Sequence, residues 1–320
     1  MSDLLPIFSR VSGVFLVMVA GAMARRFEWV TREADVSISR LIANLLFPAF
    51  FIDRILATDR FDRLEATWLP PLVGLLSTSL QLLLAVAFAR TIGPRLGIKD
   101  RGAQSALALS IGLCNYGYIP LPLAQFLYPD AEASLILHNV GVELAIWSVG
   151  IWVIAGDRLP ATRKGWITPP IIAIVAAAAV KATGLHRHIP EAFFQMTEAL
   201  GQCAVPMGLA LSGAILFDFL RELRWRESIG TLIAACGFRL LAMPMALIAI
   251  AAFLPMPLEM RQVLLLQAAM PAAVFSVILT RLYEQDVKTA VAAIIGTSII
   301  GLISIPVWLY VGQALLQGNN

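Results

Sequence analysis

Apolar residues in this chain fall into long runs, each about the length a helix needs to cross a bilayer, separated by short polar connections. Ten such runs are predicted, near residues 5–24, 38–56, 68–89, 102–127, 133–155, 167–182, 193–216, 229–253, 262–282 and 289–309. Two of them are interrupted. The fourth carries Asn115-Tyr116-Gly117-Tyr118-Ile119-Pro120-Leu121-Pro122, and the ninth carries Ala269-Met270-Pro271-Ala272-Ala273. A proline removes an amide donor, clashes with the carbonyl one turn back, and pushes its predecessor out of the helical region. Lipid cannot satisfy the freed backbone groups, so both breaks must face protein or a water-filled cavity.

The prolines also suggest a repeat. The second and seventh runs carry Pro48 and Pro206, while the fourth and ninth carry the breaks. Five spans per half is an odd number, so the second half enters the membrane in the opposite sense. The expected fold is an all-α membrane protein of ten transmembrane helices. It is arranged as two inverted five-helix repeats, residues 1–155 and 167–320, joined by a short cytoplasmic linker at 156–166. Helices four and nine, both broken, are expected to cross near the midplane.

Composition agrees: 59% of the 320 residues are hydrophobic and only 14% charged, with a mean hydropathy of +0.79, against about a quarter charged in soluble domains. The net charge of +3 is small and its basic residues lie between apolar runs, which does not suggest nucleic-acid binding. Sixteen basic residues fall on one side of the predicted topology, from Arg25, Arg26, Arg32 and Arg40 through Arg158, Arg163 and Lys164 to Arg281 and Lys288. Six fall on the other: Arg54, Arg60, Arg63, Lys181, Arg187 and Arg261. The positive-inside rule puts the first side in the cytoplasm and both termini outside it. The first run, followed by Arg25-Arg26, reads as a membrane helix rather than a cleaved leader. Cys114, Cys203 and Cys236 lie within spans and read as packing residues, not a disulfide framework.

Candidate chemistry gathers at the breaks. Half-helix N-termini present free amides and about half a unit of positive charge, which attracts carboxylates. Asn115 can donate and accept hydrogen bonds there, and Gly117 lets the backbone approach a ligand closely. Tyr116, Pro120 and Pro122 shape the same break. Gln267, one turn before Pro271, and Ser276 are their counterparts in the ninth span, with Thr280 following. Glu143, with His138 and Asn139 before it, is an ionisable residue inside a span and therefore a candidate carrier of a proton or cation. Arg239 in the eighth span is the expected type of partner for it. His138 and Glu143 do not share a helix face suited to a metal, and His186 and His188 fall in a loop. The pattern calls for no catalytic residue, cofactor or metal, and an enzyme is not expected.

These residues resemble the auxin efflux carrier family, the prokaryotic relatives of the plant PIN-formed carriers, over nearly the whole chain. Asn115-Tyr116-Gly117 with Pro122 resembles the Asn-x-Gly…Pro break of the family's fourth span. Val205-Pro206-Met207-Gly208-Leu209 through Gly213-Ala214 resembles its seventh-span motif, and Arg239-Leu240 with Pro244 its eighth. Met270-Pro271-Ala272 followed by Tyr283 is similar to the ninth, and Thr297 to Pro306 to the tenth. The resemblance implies a scaffold of spans one, two, six and seven, often dimeric, and a transport unit of spans three to five and eight to ten. Pro122 and Pro271 would lie at the crossover. It further implies a small organic anion as substrate, carried across the inner membrane by an elevator-like or rocking change, with a homodimer as the expected assembly. Two features depart from the family: Pro120 stands where glycine is common, and the long loop of the plant carriers is reduced to residues 156–166. A sodium- or proton-coupled symporter of the bile-acid type is the neighbouring reading, and a membrane sensor without turnover the reading from another class.

Overall fold

A computed structural model describes residues 4–57, 68–155 and 168–317. The expected linker at 156–166 lies outside the described residues, as do Arg60, Arg63, Arg158, Arg163 and Lys164. Within them the chain is helical, and the only β-type pairing is an isolated antiparallel bridge between Cys114 and Ala272. Seven helices are long and apolar enough to cross a membrane. They are α1 (Leu4–Arg26), α2 (Ala34–Ala57), α3 (Leu69–Thr91), α6 (Pro129–Ala155), α8 (Glu191–Glu222), α9 (Trp225–Phe253) and α12 (Val287–Gln317). A shorter apolar helix, α7, covers Pro169–Ala182. The remaining four are half-helices: α4 (Arg101–Gly112) with α5 (Pro120–Leu127), and α10 (Leu258–Ala269) with α11 (Phe275–Leu282).

Local chemistry explains the endpoints. The side chain of Asp100 accepts from the Ala103 amide at 3.0 Å and starts α4. Pro120, the first residue of α5, has no amide to leave unpaired, and Pro169-Pro170 open α7 in the same way. Pro48 and Pro244 each follow a wider π-helical turn, Ile42–Leu46 and Phe238–Ala242, which absorbs the missing hydrogen bond and lets the helix continue. Pro206 and Pro306 lie inside long helices without such a turn.

In a bilayer, helices associate through close packing rather than escape from water, and small residues permit it. Helices α1 and α8 meet through a reciprocal pair. A methyl group on Gly21 would lie 1.8 Å from the Ala210 carbonyl oxygen, and one on Gly213 would lie 1.8 Å from that of Met18. Helices α3 and α6 meet likewise, with Gly74 against the His138 carbonyl and Gly141 against that of Pro71. Helix α2 joins the first pair where Gly201 faces the Phe50 backbone, and the Lys181 ammonium of α7 donates to the Leu56 carbonyl at 3.2 Å. At one end of this group, Arg25 of α1 bridges Asp35 and Asp218, and Arg32 reaches Asp218 and Glu222. Helix α9 is fastened to α12 by the Trp308 indole, which donates to the Leu240 carbonyl at 2.7 Å.

Candidate functional site

The two breaks cross. The Asn115 amide donates to the Pro271 carbonyl at 2.8 Å, and the Ala273 amide donates to the Leu113 carbonyl at 3.0 Å. The stretches that proline removes from helix thus pair with each other as a minimal antiparallel bridge. The Ala272 amide is taken by the Thr297 hydroxyl of α12 at 3.1 Å.

Each side of the crossing is stitched by side chains. The Gln267 carboxamide donates to the Tyr116 carbonyl and to Asn139 Oδ1, both at 3.3 Å, and accepts from the Cys114 thiol. Asn139 itself donates to the Tyr116 carbonyl at 2.9 Å. Cys114 is therefore a bonded member of the crossover rather than a simple packing residue.

Behind the crossing lies Arg239, wholly buried. Its guanidinium donates to the carbonyls of Gln267, Ala268 and Met270 at 2.9, 3.2 and 2.9 Å, and to Gln81 Oε1 at 2.6 Å. Those carbonyls lie at the C-terminal end of α10, where the helix dipole favours a cation, and that of Gln267 also accepts from the Met270 amide at 3.4 Å. This corrects the expected pairing of Arg239 with Glu143: the arginine caps a broken helix and is spent on it. Its position in the π-helical turn Phe238–Ala242 brings it there.

A cavity of about 310 Å³ opens on the other side. Asn115, Tyr116, Gly117, Asn139 and Glu143 line it, with Val274 and Phe275 from the second break. Its far wall is apolar, built from Phe47 and Phe51 of α2 and from the segment Thr168 to Ile171 that opens α7. No lysine or arginine among the described residues lines it. Glu143 accepts from the Tyr116 hydroxyl at 2.7 Å on one oxygen and from the Trp147 indole at 3.1 Å on the other. Trp147 projects from a π-helical turn, Ile146–Gly150, and its ring stands edge-on to Phe275 with centroids 6.3 Å apart.

Two kinds of hydrogen-bonding group face this space unspent. The side chain of Asn115, only 7% exposed, bonds to none of the described residues. Nor do the backbone amides of Gly117 and Tyr118, in the break ahead of α5, or of Val274 and Phe275, at the start of α11. The space beside Gly117 is open, so a ligand can reach the main chain there.

Other sequence candidates lie elsewhere. Pro120 and Pro122 sit in the first turn of α5 and Pro271 in the bridge; all three shape the cavity without lining it. Ser276 is fully buried, donating to the Ala273 carbonyl at 2.8 Å and lying 3.2 Å from the Ser110 hydroxyl, and Gln267 acts through Tyr116 and Asn139. His138 is buried outside the cavity wall. Trp147, Thr297 and Gln81 were not legible as participants, since an indole, a hydroxyl or an amide inside an apolar span has no local signature of its partner.

A multi-pass helical protein, with two broken helices crossing beside a cavity, has the build of a membrane transporter rather than of a soluble binding module. The family described as "Membrane transport protein" matches residues 6–163 and 158–309. The chain belongs to this family, the auxin efflux carriers that its motifs resemble. It is also similar to an "Uncharacterized transporter" of Methanothermobacter thermautotrophicus, at 22% identity over 303 residues, covering 93% of this chain and 96% of that one.

Proposed function

We propose that the protein is a secondary transporter of organic anions, binding a carboxylate at the crossover and moving it by alternating access. The observation that carries this reading is the set of unspent donors on residues that line one cavity: the backbone amides of Gly117 and Tyr118 in the first break and of Val274 and Phe275 at the N-terminus of α11, and the carboxamide of Asn115. Preorganised amides at a helix N-terminus suit an anion, and a cavity of about 310 Å³ suits a small one.

In this reading each broken pair, and α7, counts as one crossing, which makes ten in two inverted sets of five. The group α1, α2, α7 and α8 is the scaffold, and α3 to α6 with α9 to α12 is the moving unit. Packing supports the division, because reciprocal glycines lock α1 to α8 and α3 to α6. The cavity lies where the two groups face each other, between α2 and α7 on one side and the breaks on the other. Its wall includes Thr168 to Ile171 at the start of α7, the end of that helix that the charge pattern assigns to the cytoplasm, which supports an inward-facing reading of this conformation. Within the cavity wall, the Tyr118 ring lies against Phe47, centroids 5.6 Å apart, and fills the notch at Gly208.

The test is counterflow of labelled mono-, di- and amino-carboxylates by purified protein in liposomes of the inner-membrane type. Exchange of a carboxylate with itself across the vesicle is expected; intact protein that exchanges none of them would overturn the reading.

A further inference from the structure

We propose that the ligand carries a protonated amine as well as a carboxylate, and that Glu143 receives the amine. The substrate class is then a zwitterionic amino acid with an apolar or aromatic side chain. This rests on the preceding reading and specifies it.

The cavity has two unlike polar ends. At one, free amides and Asn115 offer only donors or a neutral carboxamide. At the other, Glu143 offers a carboxylate. Tyr116 joins them: its backbone belongs to the first end, and its hydroxyl touches Glu143 at 2.7 Å. One tyrosine side chain therefore separates the ends, and an amino carboxylate with a hydrogen bond at each end spans a length of that order.

Electrostatics favours such a ligand over a bare anion. No basic side chain among the described residues lines the cavity, and Arg239, the buried cation on the Gln267–Met270 side of the crossing, is spent on three carbonyls and Gln81. An ionised Glu143 would repel a second carboxylate held close to it in an apolar enclosure. A ligand that brings its own cation converts that repulsion into attraction, and no separate counter-ion has to be recruited.

The surroundings of Glu143 also choose between an ammonium and a metal ion. Both of its oxygens already accept from donors, the Tyr116 hydroxyl and the Trp147 indole. A hard cation takes about six or more oxygen ligands, and the described residues contain no cluster of acidic or other metal-binding side chains. An ammonium group needs only the remaining lone pairs of one carboxylate. Trp147, Phe275 and Tyr118 line the cavity, and with Phe47, Phe51 and Ile174 they leave apolar wall for the rest of the molecule.

The experiment compares leucine and phenylalanine with 4-methylpentanoate and 3-phenylpropanoate, which lack the amine, and with 3-methylbutylamine and 2-phenylethylamine, which lack the carboxylate. Binding to purified protein and counterflow in liposomes are both read. In the wild type the amino acids are expected to bind at least tenfold more tightly than either truncated set. Glu143→Gln should erase the advantage of leucine over 4-methylpentanoate while leaving binding of the latter intact or tighter. Because the wild-type comparison needs no variant, a misfolded Glu143→Gln would not rescue the proposal. Amine-free acids that bind and exchange as well as the amino acids would overturn it and leave the carboxylate carrier standing. So would binding of 4-methylpentanoate that requires sodium or protons and is lost in Glu143→Gln, since Glu143 would then hold a coupling ion. Failure of every compound, and of the carboxylate panel above, would overturn both.

Discussion

The backbone amide of Asn115 donates to the carbonyl of Pro271 across 2.8 Å, joining two residues 156 positions apart in sequence at the crossing of the broken helices. The main chain of Asn115 is thus committed to the fold, while its side chain bonds to no described residue and faces the cavity. Asn115→Ala should therefore fold normally and bind carboxylates more weakly by about 1.5–3 kcal/mol, the worth of a hydrogen bond to a charged group. Titration of ligand binding beside a melting curve checks both parts. Unchanged affinity would remove the carboxamide from the site.

Arg239 predicts the opposite pattern. Arg239→Leu strips the cap from α10 and leaves the carbonyls of Ala268 and Met270, and Gln81 Oε1, without that donor in a buried setting. A loss of about 2–5 kcal/mol in stability is expected, since each buried acceptor left unpaired costs about 1–3 kcal/mol. Arg239→Lys should recover only part of it, since one ammonium cannot reproduce the fork that reaches Gln81 and three carbonyls. Unfolding of the purified variants measures this, and a melting temperature equal to wild type for Arg239→Leu would show that the cap is dispensable.

The α1–α8 contact predicts a difference between two glycines on one helix. Gly21→Ala places a methyl group 1.8 Å from a backbone oxygen of α8, whereas Gly13→Ala meets open space. The first should destabilise by about 1–3 kcal/mol, because backbone on a packed helix cannot step aside. The second should be neutral or mildly stabilising, since alanine favours helix over glycine. Equal melting temperatures for the two variants would contradict the packing.

Gly208→Ala tests the seat of Tyr118. The added methyl group would lie 2.0 Å from Cε1 of that ring, a side chain that can move. The expected outcome is a small stability change with an altered counterflow rate, as the ring leaves its place against Phe47. A reactive cysteine introduced as Gly117→Cys reports the change as a shift in labelling from the two sides of the vesicle. Identical labelling with and without Gly208→Ala would assign Tyr118 no part in access.

Much of this architecture is legible along the chain. Apolar runs of bilayer length announce the helices, because in lipid each backbone group has to be satisfied within its own segment. Pro120, Pro122 and Pro271 announce the breaks, because a proline cannot donate and displaces its neighbours from helix. Asn115, Tyr116 and Gly117 at the break, and Glu143 one span later, all line the cavity. Each stands out as a polar or flexible residue where lipid-facing helix would have none.

Partners are a different matter. Arg239 and Glu143 look complementary in sequence, yet the arginine closes the end of α10 while the glutamate bonds Tyr116 and Trp147. Ser276 looks like a cavity residue and instead lies against Ser110. A transmembrane helix is self-sufficient in backbone hydrogen bonds and apolar on every face, so its sequence specifies that it forms and roughly where it breaks. Its rotation about its own axis, and the neighbour each polar side chain meets, depend on close contacts such as Gly21 with Ala210 and on π-helical turns such as those bearing Trp147 and Arg239. Those contacts arise only when the helices pack, and that packing decided the site.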